Sequence, residues 1–297
     1  MYMDQSSSPI TRRQLLLRAQ QLLEQGVRSP NADPGAPAFE AKQLLYFALG
    51  LTPAQYLMDP QAPVEPAQAQ RLLELAERRA GGYPLQYLLG EWEFYGLPFL
   101  VGEGVLIPRA DTETLVDAAL ELLDGCSAPA VADLCSGSGC IPAALSCNLP
   151  DSARLWAVEL SPAAFSYLER NLHRLGCHNV CPVLGDALGW QPPQPLDLIT
   201  SNPPYLSAAE MEELSCEVRF EPALALEAPE EGLWFYRNLA RRGKELLRPG
   251  GALALEVGYR QAEAVCCFLE ENGFIQIETR ADLCGVQRVV LGRTPLL

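Results

Sequence analysis

The sequence predicts a doubly wound, mostly parallel α/β sheet that follows a small all-helical module. From residue 130 onward, short apolar runs alternate with stretches of helical period, as strands joined by crossover helices do. Up to about residue 85 only helical patterns occur, and short β-type runs separate the two parts. We therefore expect a helical domain over 1–85, a β-hairpin linker over 86–104 and the main domain over 105–297.

Four helices are predicted in the N-terminal module. The first follows a capping box made by Thr11 and Gln14, and a Pro/Gly/Asn loop over 29–37 comes next. The remaining three are expected over 39–49, from Thr52-Pro53 onward, and over 66–80. The module shows no cluster of titratable residues, so recognition or packing is its expected role.

The segment that links the two parts has the pattern of a hairpin. Short β-type runs over 91–101 flank Gly96. The apolar run over 105–107 is then expected to be a strand that enters a turn, where Asp111 or Thr112 caps a helix. This helix would be the first one packed on the sheet.

The main domain follows a regular alternation of predicted strands and helices. The expected strands are 130–134, 154–159, 180–184, 196–201 and 251–257, with a final pair over 274–279 and 288–291. The expected helices are 140–148, 161–175, 233–247 and 261–272. Such an alternation predicts parallel pairing with right-handed crossovers.

Composition and charge limit the class of function. With 48% apolar residues in 297, the chain has a globular composition, and its net charge of −15 argues against broad binding to nucleic acid. No apolar run approaches the roughly 18 residues of a membrane span, and the start lacks a signal-peptide pattern, so we expect a cytoplasmic protein. The ten cysteines are scattered and are expected to be reduced, and no metal site is predicted.

The run Asn202-Pro203-Pro204-Tyr205 ends the predicted strand over 196–201. Neither proline can donate a backbone N–H, so the carbonyls of Asn202 and Pro203 have no evident ladder partners. In an open α/β sheet, ligands bind beyond the carboxyl ends of the strands. An –NH2 group would suit this place, since two oxygens can accept its hydrogens while the Tyr205 ring packs on its plane. Asn202 to Tyr205 are therefore the candidate catalytic residues.

A second loop indicates a nucleoside cofactor. Gly137 and Gly139 follow the strand over 130–134, and Glu159 ends the next strand, where a carboxylate can accept from ribose hydroxyls. This spacing also fits a dinucleotide. Pro142 in place of a third glycine, and the acidic Asp133 before the loop, favour S-adenosylmethionine over NAD.

Taken together, the motifs resemble the peptide chain release factor glutamine methyltransferases (PrmC/HemK) along nearly the whole chain. The Asn-Pro-Pro-Tyr motif is shared with other enzymes that methylate planar –NH2 groups. The narrower motifs are Gly82-Tyr83-Pro84-x-Gln86-Tyr87, Glu93-Phe94-Tyr95-Gly96, Ile107-Pro108-Arg109-x-Asp111-Thr112-Glu113, Phe220-Glu221-Pro222, Gly232-Leu233, Pro249-Gly250-Gly251 and Leu255-Glu256-x-Gly258.

The resemblance implies a class I S-adenosylmethionine-dependent methyltransferase fold of Rossmann-like type. It also implies methylation of the glutamine in the Gly-Gly-Gln loop of class I release factors, with S-adenosylmethionine as cofactor. The chain would act as a monomer, without contact to nucleic acid or membrane. By position, the cofactor would contact Arg109, Thr112, Asp133, Cys135, Ser136, Gly137, Ser138, Gly139, Glu159, Leu160, Asp186, Ala187 and Asn202.

Some positions depart from the family pattern, and some alternatives stay open. Ala110 stands in place of a usual proline, Cys135 in place of a usual glycine, and Ala187 where a larger residue is common. The alternatives are a glutamine methyltransferase of a large-subunit ribosomal protein, a nucleic-acid adenine methyltransferase, and a non-catalytic module on the same fold.

Overall fold

A computed structural model of the chain describes residues 9–27 and 35–296, which divide into two compact units. The first unit contains the described residues up to Gly90 together with Leu214–Phe220, and the second contains Glu91–Glu213 and the residues from Glu221 onward. The predicted division, with a separate linker over 86–104, stays a prediction. No helix within the described ranges is long and apolar enough to cross a membrane.

The first unit is all-helical. Its helices are α1 (Arg12–Gln25), α2 (Ala36–Leu49), α3 (Pro53–Met58), α4 (Pro66–Ala80) and α5 (Leu85–Leu89). The capping box of Thr11 and Gln14 is confirmed, and Thr52 forms a second one with Gln55. The predicted start of α2 is wrong by three residues, because Pro37 stands in the first helical turn, where its missing N–H is not needed. The rest of the predicted loop, 29–34, lies outside the described residues, and α5 was not predicted.

A buried arginine organises the polar part of this unit. The Arg79 side chain places Nη2 2.6 Å from Glu40 Oε1 and 2.6 Å from Glu217 Oε1. The expectation that the helical module lacks a titratable cluster is therefore wrong. Glu217 is 138 residues away from Arg79 in the chain, so no local pattern could pair them. The ion pair ties the segment Leu214–Phe220 to the helices of the first unit.

The second unit carries a hairpin and a seven-stranded sheet, so the predicted fold class is confirmed. The hairpin consists of β1 (Glu91–Phe94) and β2 (Leu97–Leu100). The sheet strands are β3 (Ala130–Leu134), β4 (Arg154–Glu159), β5 (Val180–Leu184), β6 (Leu196–Ser201), β7 (Leu247–Glu256), β8 (Ile275–Ala281) and β9 (Gln287–Arg293). The helices are α6 (Glu113–Leu122), α7 (Cys140–Asn148), α8 (Pro162–Leu175), α9 (Ala208–Glu212), α10 (Trp234–Leu246) and α11 (Ala262–Glu271).

The strands follow the order β5-β4-β3-β6-β7-β9-β8. The first five run parallel, and β9 pairs antiparallel with both β7 and β8. Helices α6, α7 and α8 contribute to the apolar core on one face of the sheet, and α10 and α11 contribute to the core on the other. The chain order reverses between β3 and β6, which makes this pair the topological switch point.

Of two local predictions in front of α6, the strand is wrong and the N-cap is confirmed in position only. The run over 105–107 forms no strand, because the Ile107 N–H donates to the buried Glu221 carboxylate (2.9 Å) instead of to a ladder. Thr112 stands at the N-cap of α6, but its side chain makes no capping hydrogen bond. Helix α9, with its capping box at Ser207, was not predicted.

A buried asparagine joins the hairpin to the sheet. Asn171 on α8 is fully buried, and its Oδ1 accepts from the Leu100 N–H (2.7 Å). Its Nδ2 donates to the carbonyls of Leu100 (3.1 Å) and Ser138 (2.9 Å). One carboxamide thus satisfies backbone groups at the end of β2 and in the loop after β3.

Replacing Asn171 with alanine should lower the free energy of unfolding by about 3 kcal/mol or more. The substitution strands three backbone groups in the interior, and each unsatisfied group costs roughly 1–3 kcal/mol. Urea unfolding followed by circular dichroism measures the change. Asn238→Ala is the matched control, because Asn238 only bonds the carbonyl four residues before it on α10. Equal losses in the two variants would contradict the proposed joining role of Asn171.

Candidate active site

The two motif loops begin side by side at the switch point. Strands β3 and β6 pair in parallel, with Asp133 opposite Thr200 and Leu134 opposite Ser201. The glycine-containing loop that starts at Cys135 and the run that starts at Asn202 therefore leave the sheet at the same edge. This is the position at which open α/β sheets bind their ligands.

The loop after β3 follows a tight path with left-handed backbone. Gly137 and Gly139 have φ of 54° and 82°, which glycine adopts without penalty. A Cβ added at Gly137 would meet no atom within 4 Å, so a ligand has room beside this backbone. Cys135 also has a positive φ of 63°, which is uncommon for a residue other than glycine, so its backbone is strained.

Glu159 is held in place by the loop that it faces. This carboxylate at the end of β4 is 8% exposed. Its Oε2 accepts from the Gly137 N–H (2.8 Å) and its Oε1 from the Ser161 N–H (2.7 Å). Since each carboxylate oxygen has two acceptor positions, both can still accept from a ligand hydroxyl.

A cleft opens in front of these two loops. The sequence-predicted residues that line it are Cys135, Gly137, Glu159, Leu160, Asp186, Ala187, Asn202 and Pro204. The lining residues that sequence reasoning missed are Gly104, Leu106, Val158, Ser161, Ala164, Pro222, Leu224, Ala225 and Phe235. The available signals in the sequence were weak: Pro222 lies in a quoted motif, Leu106 directly precedes one, and Phe235 follows one closely.

Other predicted site residues lie behind the cleft. Asp133, Ser136 and Ser138 are at most 4% exposed beneath the loop. Arg109 pairs with Glu221 rather than lining the cleft. Gly139, Thr112, Pro203 and Tyr205 are likewise absent from the lining. Their predicted contacts with cofactor or substrate stay predictions.

The Asn202 to Tyr205 run leaves two oxygens available. Within the part of the chain that the structure describes, the carbonyls of Asn202 and Pro203 accept no hydrogen bond. Tyr205, in contrast, is anchored at both ends: its N–H donates to the Leu226 carbonyl (3.1 Å), and its carbonyl accepts from Gln261 Nε2 (3.0 Å).

The run from Asn202 to Tyr205 packs closely against the backbone at Gly232. A Cβ at Gly232 would overlap the Tyr205 carbonyl oxygen, so any side chain there would push the loop away. The Tyr205 ring packs at the border of the core, and burial raises the pKa of its phenol to about 12. The phenol is therefore neutral at ordinary pH and carries no base function.

Two buried carboxyl groups lie behind the loops. Burial raises the pKa of Asp133 to about 7 against hydrogen bonds from Ser136 and Thr200, which lower it. Burial likewise raises the pKa of Glu256 to about 7, while hydrogen bonding from Thr112 and the charge of Arg288 lower it. Asp133 Oδ2 and Glu256 Oε2 have no hydrogen-bond partner among the described residues. Each group therefore takes up a proton near neutral pH, far above the range in which an exposed carboxylate does so.

The glutamate at 256 should make the folded state less stable as pH rises. Its folded pKa of about 7 exceeds the ordinary 4.5, so the folded chain holds a proton that the unfolded chain has released between these values. Stability therefore falls from about pH 4.5 to 7. Glu256→Gln should remove this part of the pH dependence. At pH 8 its free energy of unfolding should exceed that of the parent chain by roughly 3 kcal/mol, at about 1.4 kcal/mol per unit of pKa.

Urea unfolding of both proteins from pH 5 to 8 measures this difference. Glu263→Gln is the control, because Glu263 lies exposed near the start of α11. A pH dependence in Glu256→Gln as steep as in the parent chain would contradict the assignment.

Comparison with known protein families covers both units. A family model described as PrmC N-terminal domain matches residues 14–90, and one described as methyltransferase small domain matches residues 112–226. The catalytic domain of hMettl16, solved in complex with MAT2A 3'UTR hairpin 6, aligns with a TM-score of 0.53 and 17% identity. The alignment covers 74% of this chain and 81% of that one, and it supports the fold alone.

Relatives at higher identity extend over most of the chain. The release factor glutamine methyltransferase of Bordetella pertussis is 40% identical over 259 residues, which are 87% of this chain and 95% of that protein. The protein of the same name from Moorella thermoacetica is 44% identical over 230 residues, 77% of this chain and 81% of its own length. The chain therefore belongs to the release factor glutamine methyltransferase family.

Proposed function

We propose that this chain transfers the methyl group of S-adenosylmethionine to the side-chain amide nitrogen of the glutamine in the Gly-Gly-Gln loop of class I release factors. The observation that carries the proposal is Asn202 in the lining of a cleft that also contains the glycine-containing loop. Among the described residues, neither its Oδ1 nor the adjacent Pro203 carbonyl accepts a hydrogen bond. Membership in the family supports the acceptor and the partner.

The charges of the cleft fit this cofactor. Its lining contains the carboxylates of Glu159 and Asp186 and, among the described residues, no lysine or arginine. A pyrophosphate would need cations or several free N–H donors, and the Gly137 N–H is already bonded to Glu159. A positively charged cofactor gains from acidic surroundings instead. S-adenosylmethionine, when bound, supplies an electrophilic methyl group on a positively charged sulfur.

Glu159 and Asp186 are the residues proposed to hold the nucleoside. The Glu159 oxygens can accept from both ribose hydroxyls, and the Asp186 carboxylate can accept from an adenine amino group. Leu160 and Phe235 give the cleft apolar walls suited to a flat base.

Asn202 and Pro203 are proposed to activate the acceptor. An amide nitrogen is a weak nucleophile, because its lone pair is delocalised into the carbonyl. Asn202 Oδ1 and the Pro203 carbonyl would accept its two N–H groups and stabilise the positive charge that develops on nitrogen. Alignment of the two reactants supplies a further part of the acceleration, on the order of 7–11 kcal/mol at best. One N–C bond forms, one S–C bond breaks, and the nitrogen releases one proton to solvent.

The proposal extends to how the chain recognises its partner, to its oligomeric state and to its cellular location. The helical domain over 1–85 would recognise the release factor, with the hairpin over 86–104 as linker. The net charge of −15 favours a protein partner over nucleic acid. We propose a monomer that acts in the cytoplasm, where release factors work.

Asn202→Ala should lower kcat about 100-fold or more with little change in cofactor affinity. Removing one preorganised group that stabilises transition-state charge costs about this factor. Turnover is measured with a purified release factor, and cofactor affinity by calorimetry. Asn272→Ala, a helix-end asparagine that bonds the Phe268 carbonyl, serves as control. Turnover within a few-fold of the parent chain would rule out the role of Asn202.

Methyl transfer from labelled S-adenosylmethionine to a purified bacterial release factor tests the function directly. Label should enter the wild-type factor and not a factor whose Gly-Gly-Gln motif is changed to Gly-Gly-Ala, because the alanine has no amide nitrogen. A large-subunit ribosomal protein and an adenine-containing DNA duplex are assayed in parallel. Label in either of these, with none in the release factor, would transfer the assignment to that substrate class.

A further inference from the structure

Thr112 contacts the candidate catalytic asparagine rather than the cleft. Its side chain is 2% exposed, and Oγ1 lies 3.3 Å from Asn202 Nδ2. Thr112 is absent from the cleft lining, and it does not cap α6. Neither of the two predicted roles of Thr112, contact with the cofactor and capping of α6, therefore explains its contact with Asn202.

The hydrogen bond runs from the asparagine to the threonine. An amide –NH2 group can donate but cannot accept, so Asn202 Nδ2, at 3.3 Å from Thr112 Oγ1, is the donor. The contact therefore requires the Thr112 hydroxyl to accept.

The orientation of the Asn202 carboxamide depends on that constraint. An asparagine side chain presents a donor and an acceptor of nearly equal size, so packing alone does not distinguish its two orientations. If Thr112 accepts, Nδ2 must face Thr112, and Oδ1 faces the cleft that Asn202 lines. The opposite orientation would aim an N–H group at the substrate N–H group, two donors with no acceptor between them.

We propose that Thr112 is a positioning residue that orients the Asn202 carboxamide so that Oδ1 faces the substrate amide. The inference rests on the proposed function, since it assigns Asn202 as an acceptor for a substrate amide. The hydrogen bond from the substrate amide N–H to Asn202 Oδ1 strengthens as the nitrogen becomes positive. Its loss therefore raises mainly the free energy of the transition state.

Thr112→Val tests the inference because it keeps the shape of the side chain and removes only the hydroxyl. We expect kcat for release factor methylation to fall about tenfold, with KM and cofactor Kd within about twofold. Thr112→Ser, which keeps the hydroxyl, should restore kcat to within about threefold of the parent chain. Thr114→Val is the matched control, since Thr114 makes no such contact two residues further along the chain.

Thermal unfolding of each variant shows whether it is folded, and Thr112→Ala replaces the valine variant if that one is not. A kcat within twofold of the Thr114→Val control would overturn the inference. A cofactor Kd that weakens as much as kcat would also overturn it, in favour of direct cofactor binding by Thr112. Absence of methylation by the parent chain in the same assay would instead reject the proposed function.

Discussion

The parallel pairing of β3 with β6 is the constraint on which the site depends. Backbone hydrogen bonds fix the register of the two strands, so Leu134 and Ser201 end level with each other. The loops that follow therefore begin within one strand spacing, about 5 Å. Residues 135–139 and 202–205 are far apart in the chain, yet the sheet brings them together.

Polar side chains satisfy backbone groups at several places where no strand ladder continues. Asn171 satisfies the backbone at the end of β2, and the Glu221 carboxylate accepts the Ile107 N–H. Glu159 and Gln261 do the same for the two motif loops. Buried backbone groups without partners are costly, so each of these side chains also sets the path of the loop that it bonds. The shape of the cleft follows from these few hydrogen bonds.

The electrostatics of the site agree with a reaction that needs orientation more than acid–base chemistry. Burial raises the pKa of the Asp133 and Glu256 carboxyl groups to about 7, and it keeps the Tyr205 phenol protonated. Acceptor oxygens from Asn202 and Pro203 are the groups that remain for a substrate amide. A positively charged cofactor and a nitrogen that becomes positive both favour such oxygen-rich, acidic surroundings.

The sequence by itself determined the order and type of the main elements, because apolar period and turn residues act over short stretches of chain. The bounds of β3, β4, β5 and β6 were predicted to the residue, and the two motif loops were placed at strand ends. The tertiary structure alone decided which distant partners each polar side chain finds. Arg79 with Glu217, Ile107 with Glu221, and Thr112 with Asn202 are separated by 90 to 138 residues, and no local pattern encodes such pairs. The run over 105–107 illustrates the reason: its apolar residues favour a strand, but a buried carboxylate supplied by the fold takes the N–H that a strand would have used.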